Sequence, residues 1–188
     1  MRIKNQLAAA LFLVSPSLYA HTGGHIDHSL ISGLLHPLTG IDHLLVLMAV
    51  GLIAAKQDGK ALFAFPAFFL ALMAAGAALS AYAVQIPFVE SLIALSLVAF
   101  GLLVSVKQKQ RSGILFLGVS LFAIFHGYAH AAEIPADVGA VLYFSSLMLM
   151  SLVICLIGCV LGLSTGKRIN YLFSLICLSS GLYYLAVG

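Results

Sequence analysis

Two short stretches of the chain carry side chains that bind transition metals. They are His36, Asp42 and His43 in the first stretch, and His126, His130 and Glu133 in the second. Both stretches lie in or at the end of long apolar segments, where an ionisable side chain is costly and usually marks a site or a pathway. Imidazole and carboxylate ligands together favour Zn, Ni, Co, Cu(II) or Fe(II) over Mg or Ca, which prefer oxygen ligands alone.

The spacing in the second stretch permits chelation of one ion. His126 and His130 are four residues apart, so on a helix they project from one face about one turn apart. Glu133 follows three residues later and stays on that face. Glu90 is a weaker candidate, because a carboxylate shortly after Pro87 equally fits the favourable start of a helix.

The first stretch needs a distortion to act as a chelate. His36 and His43 are seven residues apart, which on a straight helix is about 10.5 Å of rise. Pro37 and Gly40 lie between them and predict a kink or local unwinding that brings the imidazoles closer. Asp42 is either a direct ligand or the acceptor that orients a ligating imidazole.

A single histidine in a membrane helix is more often an interhelical hydrogen-bonding residue than a ligand. Clustering changes this interpretation, because several ionisable groups in two clusters at one depth predict a metal site.

Composition places the chain in a membrane. Of its 188 residues, 62% are hydrophobic and 8% are charged, whereas a soluble domain has about 25% charged residues. The three cysteines, Cys155, Cys159 and Cys177, all lie in late apolar segments. They are interpreted as packing residues, with a soft metal relay in the inner half of the chain as the alternative.

The first twenty residues resemble a cleaved secretory signal. Arg2 and Lys4 precede a short apolar run, and a small residue, Ala20, ends the segment. The alternative is an uncleaved first transmembrane helix, for which this apolar run is short. Cleavage after Ala20 predicts a mature chain that begins at His21.

The predicted mature amino terminus is rich in metal-binding side chains. They are His21, His25, Asp27 and His28. A terminal amine and the imidazole of His21 form a chelate, so this tail is either an external arm that captures metal or a solvated tail without that function.

Six apolar segments follow, each near the length of about 20 residues that a bilayer span requires. They lie near residues 30–55, 61–83, 87–106, 112–131, 138–163 and 169–187. The breaks between them are too brief for a soluble domain. The sequence therefore predicts an all-α integral membrane protein, with one six-helix domain over residues 21–188.

Basic residues predict the orientation of this bundle. The first, third and fifth loops hold Lys56, Lys60, Lys107, Lys109, Arg111, Lys167 and Arg168, and the other loops hold no Lys or Arg. Basic loops stay in the cytoplasm, so both mature termini are predicted to be periplasmic. All seven histidines then fall outside the membrane or in its outer half.

At these residues the chain resembles the HupE/UreJ family of nickel/cobalt permeases. The matching features are His36-Pro37, Gly40 and Asp42-His43, then Phe125-His126-Gly127-Tyr128-Ala129-His130 with Glu133. Ala131 departs from the Gly that the family usually has there. The resemblance implies uptake of Ni(II), with Co(II) as a second candidate, through the bacterial inner membrane to supply enzymes such as hydrogenase or urease.

Two functions compete at this stage. One is a metal permease, which is not an enzyme and holds no permanent cofactor. The other is a membrane-embedded zinc hydrolase that uses the same residues as ligands. The chain contains neither a His-Glu-x-x-His motif nor a Gly-x-Ser-x-Gly motif, which speaks against the hydrolase. Residue types alone do not distinguish nickel from zinc.

Overall fold

The computed structural model describes residues 25–57, 59–106 and 113–187, and within these ranges all regular structure is helical. The helices are α1 (His25–Thr39), α2 (Ile41–Ala54), α3 (Ala61–Ala81), α4 (Val89–Ser105), α5 (Gly113–Ala132), α6 (Ala140–Ser164) and α7 (Lys167–Val187). The all-helical prediction is confirmed for this part of the chain. The predicted signal segment, residues 1–20, lies outside it and stays a prediction.

Several of these helices suit a membrane. By length and composition, α3, α6 and α7 are each long and apolar enough to cross one, and the bent pair α1–α2 passes the same test as a fourth span. The apolar helix α4 is shorter, with 17 residues. The helices thus fit a membrane protein, while the count of six spans and the orientation stay predictions.

The span predicted over residues 30–55 consists of two helices. α1 and α2 meet at Gly40 with a bend of 79°, and Gly40 has an extended backbone with φ −85° and ψ 110°. Pro37 removes one amide donor from the last turn of α1, which weakens that turn. The predicted unwinding between His36 and His43 occurs at this break.

The central element of the bundle is α2. Its residues from His43 to Ala54 are almost all buried, and it packs against α1, α3, α4, α6 and α7. A helix that is apolar around its whole circumference is typical of such an interior position. His43, in the first turn of α2, is held inside the protein and is 6% exposed.

Two glycines allow the helices around this centre to approach closely. Gly51 of α2 lies against the backbone of α6 at Cys155, and Gly127 of α5 lies against the carbonyl of Met73 in α3. A Cβ atom at either glycine would overlap with that backbone. Small residues at such crossings are the usual means by which membrane helices pack.

The end of α2 is tied to the end of α4 by Lys56. Its ammonium donates hydrogen bonds to the carbonyls of Val104 and Val106, which satisfies backbone acceptors at the end of α4. Partial burial lowers the pKa of Lys56.

The three cysteines belong to the hydrophobic core. Cys155 and Cys177 are fully buried and Cys159 nearly so, and all three are free thiols. Their surroundings are those of packing residues, since a buried thiol behaves as a small hydrophobic group.

Candidate metal centre

The bend at Gly40 and the C-terminal end of α5 bring four imidazoles together. The ring of His130 lies 4.9 Å from that of His36 and 4.1 Å from that of His43, measured between centroids. The rings of His43 and His126 are 5.6 Å apart. Those of His36 and His43, which a straight helix would separate by two turns, are 6.0 Å apart.

Three side chains form the part of this cluster that reaches the surface, which it does through His36 and Glu133. Single ligand atoms of His36, His130 and Glu133 all lie within 4.8 Å of one another. His36 donates a hydrogen bond from Nε2 to Oε2 of Glu133 at 3.1 Å, and the glutamate side chain is 46% exposed. This hydrogen bond lowers the pKa of Glu133, so the carboxylate is ionised and able to attract a cation at neutral pH.

Glu133 reaches the cluster because the helical path continues past the last residue of α5. Its N–H donates to the carbonyl of Ala129 at 3.0 Å, which keeps the carboxylate on the same face as His130. The Ala131-Ala132 pair that departs from the family pattern remains helical.

Two further imidazoles lie deeper, and both are oriented by an acceptor on their own helix. His43 contacts Oδ1 of Asp42 through Nδ1 at 2.9 Å, and His126 contacts the carbonyl of Phe122 through Nδ1 at 2.9 Å. Because a carboxylate and a carbonyl only accept, the hydrogen in each neutral ring lies on Nδ1. The lone pair on Nε2 is then available to a metal.

Four ring nitrogens of the cluster are buried and have no hydrogen-bond partner. These are Nε2 of His43, Nε2 of His126 and both ring nitrogens of His130. A buried polar atom without a partner costs about 1–3 kcal/mol, and an ion bound among these rings would remove that cost. A metal–imidazole bond is about 2.1 Å long, so rings with centroids 4.1 and 5.6 Å apart are near enough to share an ion.

Two of the other candidate ligands, Glu90 and His28, are exposed. Glu90 is exposed in the first turn of α4, where a carboxylate stabilises the helix dipole. His28 is exposed and bonds Ser32 on its own helix at 3.0 Å. His25 begins α1, its side chain is not among those described, and His21 lies outside the described residues.

Sequence reasoning missed Tyr143 of α6. Its side chain is 2% exposed, and its ring lies edge-on to His36 with centroids 5.8 Å apart. The close approach of Gly33 in α1 to the Tyr143 carbonyl holds the two helices together there. The sequence did carry a signal for it, namely a tyrosine within an apolar segment. A buried tyrosine usually has a specific polar neighbour.

Comparison with known proteins identifies a family that spans most of the chain. The model of a protein family described as HupE / UreJ protein matches residues 9–186. The chain belongs to the HupE/UreJ family. It is 35% identical over 158 residues to Protein HupE of Rhizobium leguminosarum bv. viciae, covering 84% of this chain and 81% of that protein. No solved structure matches the chain.

Membership in the HupE/UreJ family confirms the resemblance seen in the two motifs. It associates the chain with a family of membrane permeases for nickel and cobalt, and it favours transport over the zinc hydrolase. In this HupE/UreJ protein, one motif supplies the bend between α1 and α2, and the other supplies the C-terminal end of α5.

We expect Asp42→Asn in this HupE/UreJ protein to weaken nickel binding by about 10–100-fold, the usual cost of losing a group that orients a ligating histidine. Asparagine keeps the size of the side chain but loses the charge that holds the hydrogen of His43 on Nδ1. Equilibrium binding of nickel to detergent-purified protein measures the effect. Asp137→Asn, an exposed change in the turn before α6, is the matched control, and equal affinities for the two variants would refute the orienting role.

Proposed function

We propose that this protein transports Ni(II), with Co(II) as the second candidate, from the periplasm to the cytoplasm through the inner membrane. The histidine cluster and its two carboxylates are the recognition site: His36, Asp42, His43, His126, His130 and Glu133. The observation that carries the proposal is the convergence of four imidazoles, with unpartnered buried nitrogens, inside a bundle of apolar helices.

The exposed fraction of the ligands decreases stepwise from Glu133 to His130, which suits entry of an ion from the surface. Glu133 is 46% exposed, His36 is 21% exposed, and His130 is fully buried. A carboxylate at the open side attracts a divalent cation, and the imidazoles behind it then replace the water bound to the ion. Since nitrogen ligands dominate the buried part, Mg and Ca are poor substrates.

The predicted topology agrees with this direction of transport. Every Lys and Arg of residues 21–188 lies in the loops predicted to be cytoplasmic, so no basic side chain repels a cation at the outer face. The protein acts as a multi-pass permease of the bacterial inner membrane and not as an enzyme. In the cytoplasm, the transported metal is delivered to the maturation proteins of hydrogenase or urease.

Accumulation of radioactive nickel at nanomolar concentration tests the proposal. Cells that lack their own nickel importers carry either the protein or an empty vector, with excess cobalt, zinc or manganese as competitor. We expect accumulation above the vector level, strong competition by cobalt and little by manganese. Uptake equal to that of the empty vector for every metal would reject transport, and bound zinc in the purified protein would then support the hydrolase.

A further inference from the structure

A layer of three phenylalanine rings lies next to His126, on the side away from His130. The rings belong to Phe69 of α3, Phe100 of α4 and Phe122 of α5. We call this layer the aromatic floor. The ring of Phe69 lies 6.2 Å from that of His126 and 6.2 Å from that of Phe100, and the rings of Phe100 and Phe122 are 6.0 Å apart. The floor is thus in contact with the buried imidazole of His126.

Two rings of the floor are fully buried, and the third, Phe122, is partly buried. Phe69 is 1% exposed and Phe100 is fully buried, and the rings meet at steep angles of 61° and 68°, the edge-to-face arrangement that aromatic rings prefer. The phenylalanine side chains offer no lone pair to an ion. An ion that moves inward from His126 therefore leaves its ligands and meets hydrocarbon.

The segments beyond the floor also lack charged ligands. Residues 44–55 of the α2 segment, 61–70 of α3, 97–106 of the α4 segment and 113–122 of α5 contain no Asp, Glu, Lys, Arg or His. Lys56, just after the end of α2, is a charged group that the structure places past these segments. A hydrophobic constriction of this kind blocks ions by excluding their water.

We propose that the aromatic floor is the selectivity barrier of the transport pathway, and that it excludes ions which keep their hydration shell. This inference rests on the proposed metal transport. A transition metal gives up water to the imidazoles above the floor, whereas Mg²⁺ dehydrates reluctantly and finds no oxygen cage there. Because the rings close the route, passage of the selected ion requires that they rotate or that the helices which carry them move apart.

Entry of ions into proteoliposomes tests the floor. Vesicles with wild-type protein, Phe100→Ala or Phe63→Ala enclose a fluorescent indicator for Ni²⁺ or Mg²⁺ and face an inward gradient of that ion. Phe63 is the matched control, because it is a phenylalanine of α3 that is 68% exposed. We expect wild type and Phe63→Ala to admit nickel and exclude magnesium, and Phe100→Ala to admit magnesium at least about tenfold faster, since water enters the widened constriction.

Removal of a whole ring from the core is a severe change, so two milder variants accompany it. Phe100→Leu and Phe69→Leu keep an apolar side chain but break the ring contacts, and they decide the question if Phe100→Ala fails to elute as wild type on size exclusion. Magnesium entry equal to wild type in folded floor variants, while wild type transports nickel, would overturn the floor and leave transport intact. Wild-type vesicles that admit no nickel would instead overturn the proposed function.

Discussion

We expect that replacing His130 with alanine abolishes nickel accumulation, so that cells with this variant accumulate no more nickel than cells that lack the protein. His130 is fully buried, neither of its ring nitrogens has a partner, and it is adjacent to the rings of both His36 and His43. It therefore lies between the partly exposed His36 and the buried His43. Loss of a group that orients a ligand already lowers metal affinity by about 10–100-fold. Loss of the ligand His130 itself should therefore lower nickel affinity by at least about 100-fold.

Accumulation of radioactive nickel, at equal amounts of protein in the membrane, measures this loss. The matched control is His28→Ala, because His28 is exposed and hydrogen-bonds Ser32 on its own helix. We expect His28→Ala to change nickel accumulation only slightly. Retention of most of the wild-type accumulation in His130→Ala would remove His130 from the pathway and count against the cluster as the recognition site.

We expect Gly127→Ala both to destabilise the protein and to displace the metal centre. A Cβ at Gly127 would overlap with the backbone carbonyl of Met73, so α5 has to move away from α3. Overpacking of this kind costs about 1–3 kcal/mol in the free energy of unfolding. Since α5 carries His126 and His130 on either side of this glycine, we also expect weaker nickel binding.

A second glycine of α5 provides the control for this change. A Cβ at Gly118 would meet no atom within 4 Å, and alanine in a helix is favoured over glycine by about 0.5–1 kcal/mol. Thermal unfolding in detergent should therefore show a lower Tm for Gly127→Ala and an unchanged or higher Tm for Gly118→Ala. The same Tm for both variants would mean that the contact with α3 is not tight.

The sequence by itself determined the class of the protein and the ends of most helices. Long apolar segments with brief polar breaks are a local property, so the predicted span over 61–83 corresponds to Ala61–Ala81 and the one over 138–163 to Ala140–Ser164. The family could be identified for a similar reason, because its two motifs are short and each is contained in one segment. The ligand candidates followed from residue type, as ionisable groups are rare in apolar helices.

Only the tertiary structure decided how these groups meet. Pro37 and Gly40 indicated a distortion, but the bend of 79° and the placement of His36 beside Glu133 depend on how α1 packs against its neighbours. The contact of Tyr143 with His36 and the aromatic floor join side chains from helices far apart in the chain. In a membrane protein, side chains that face lipid and side chains that face the core are both apolar, so periodicity does not reveal which residues point inward.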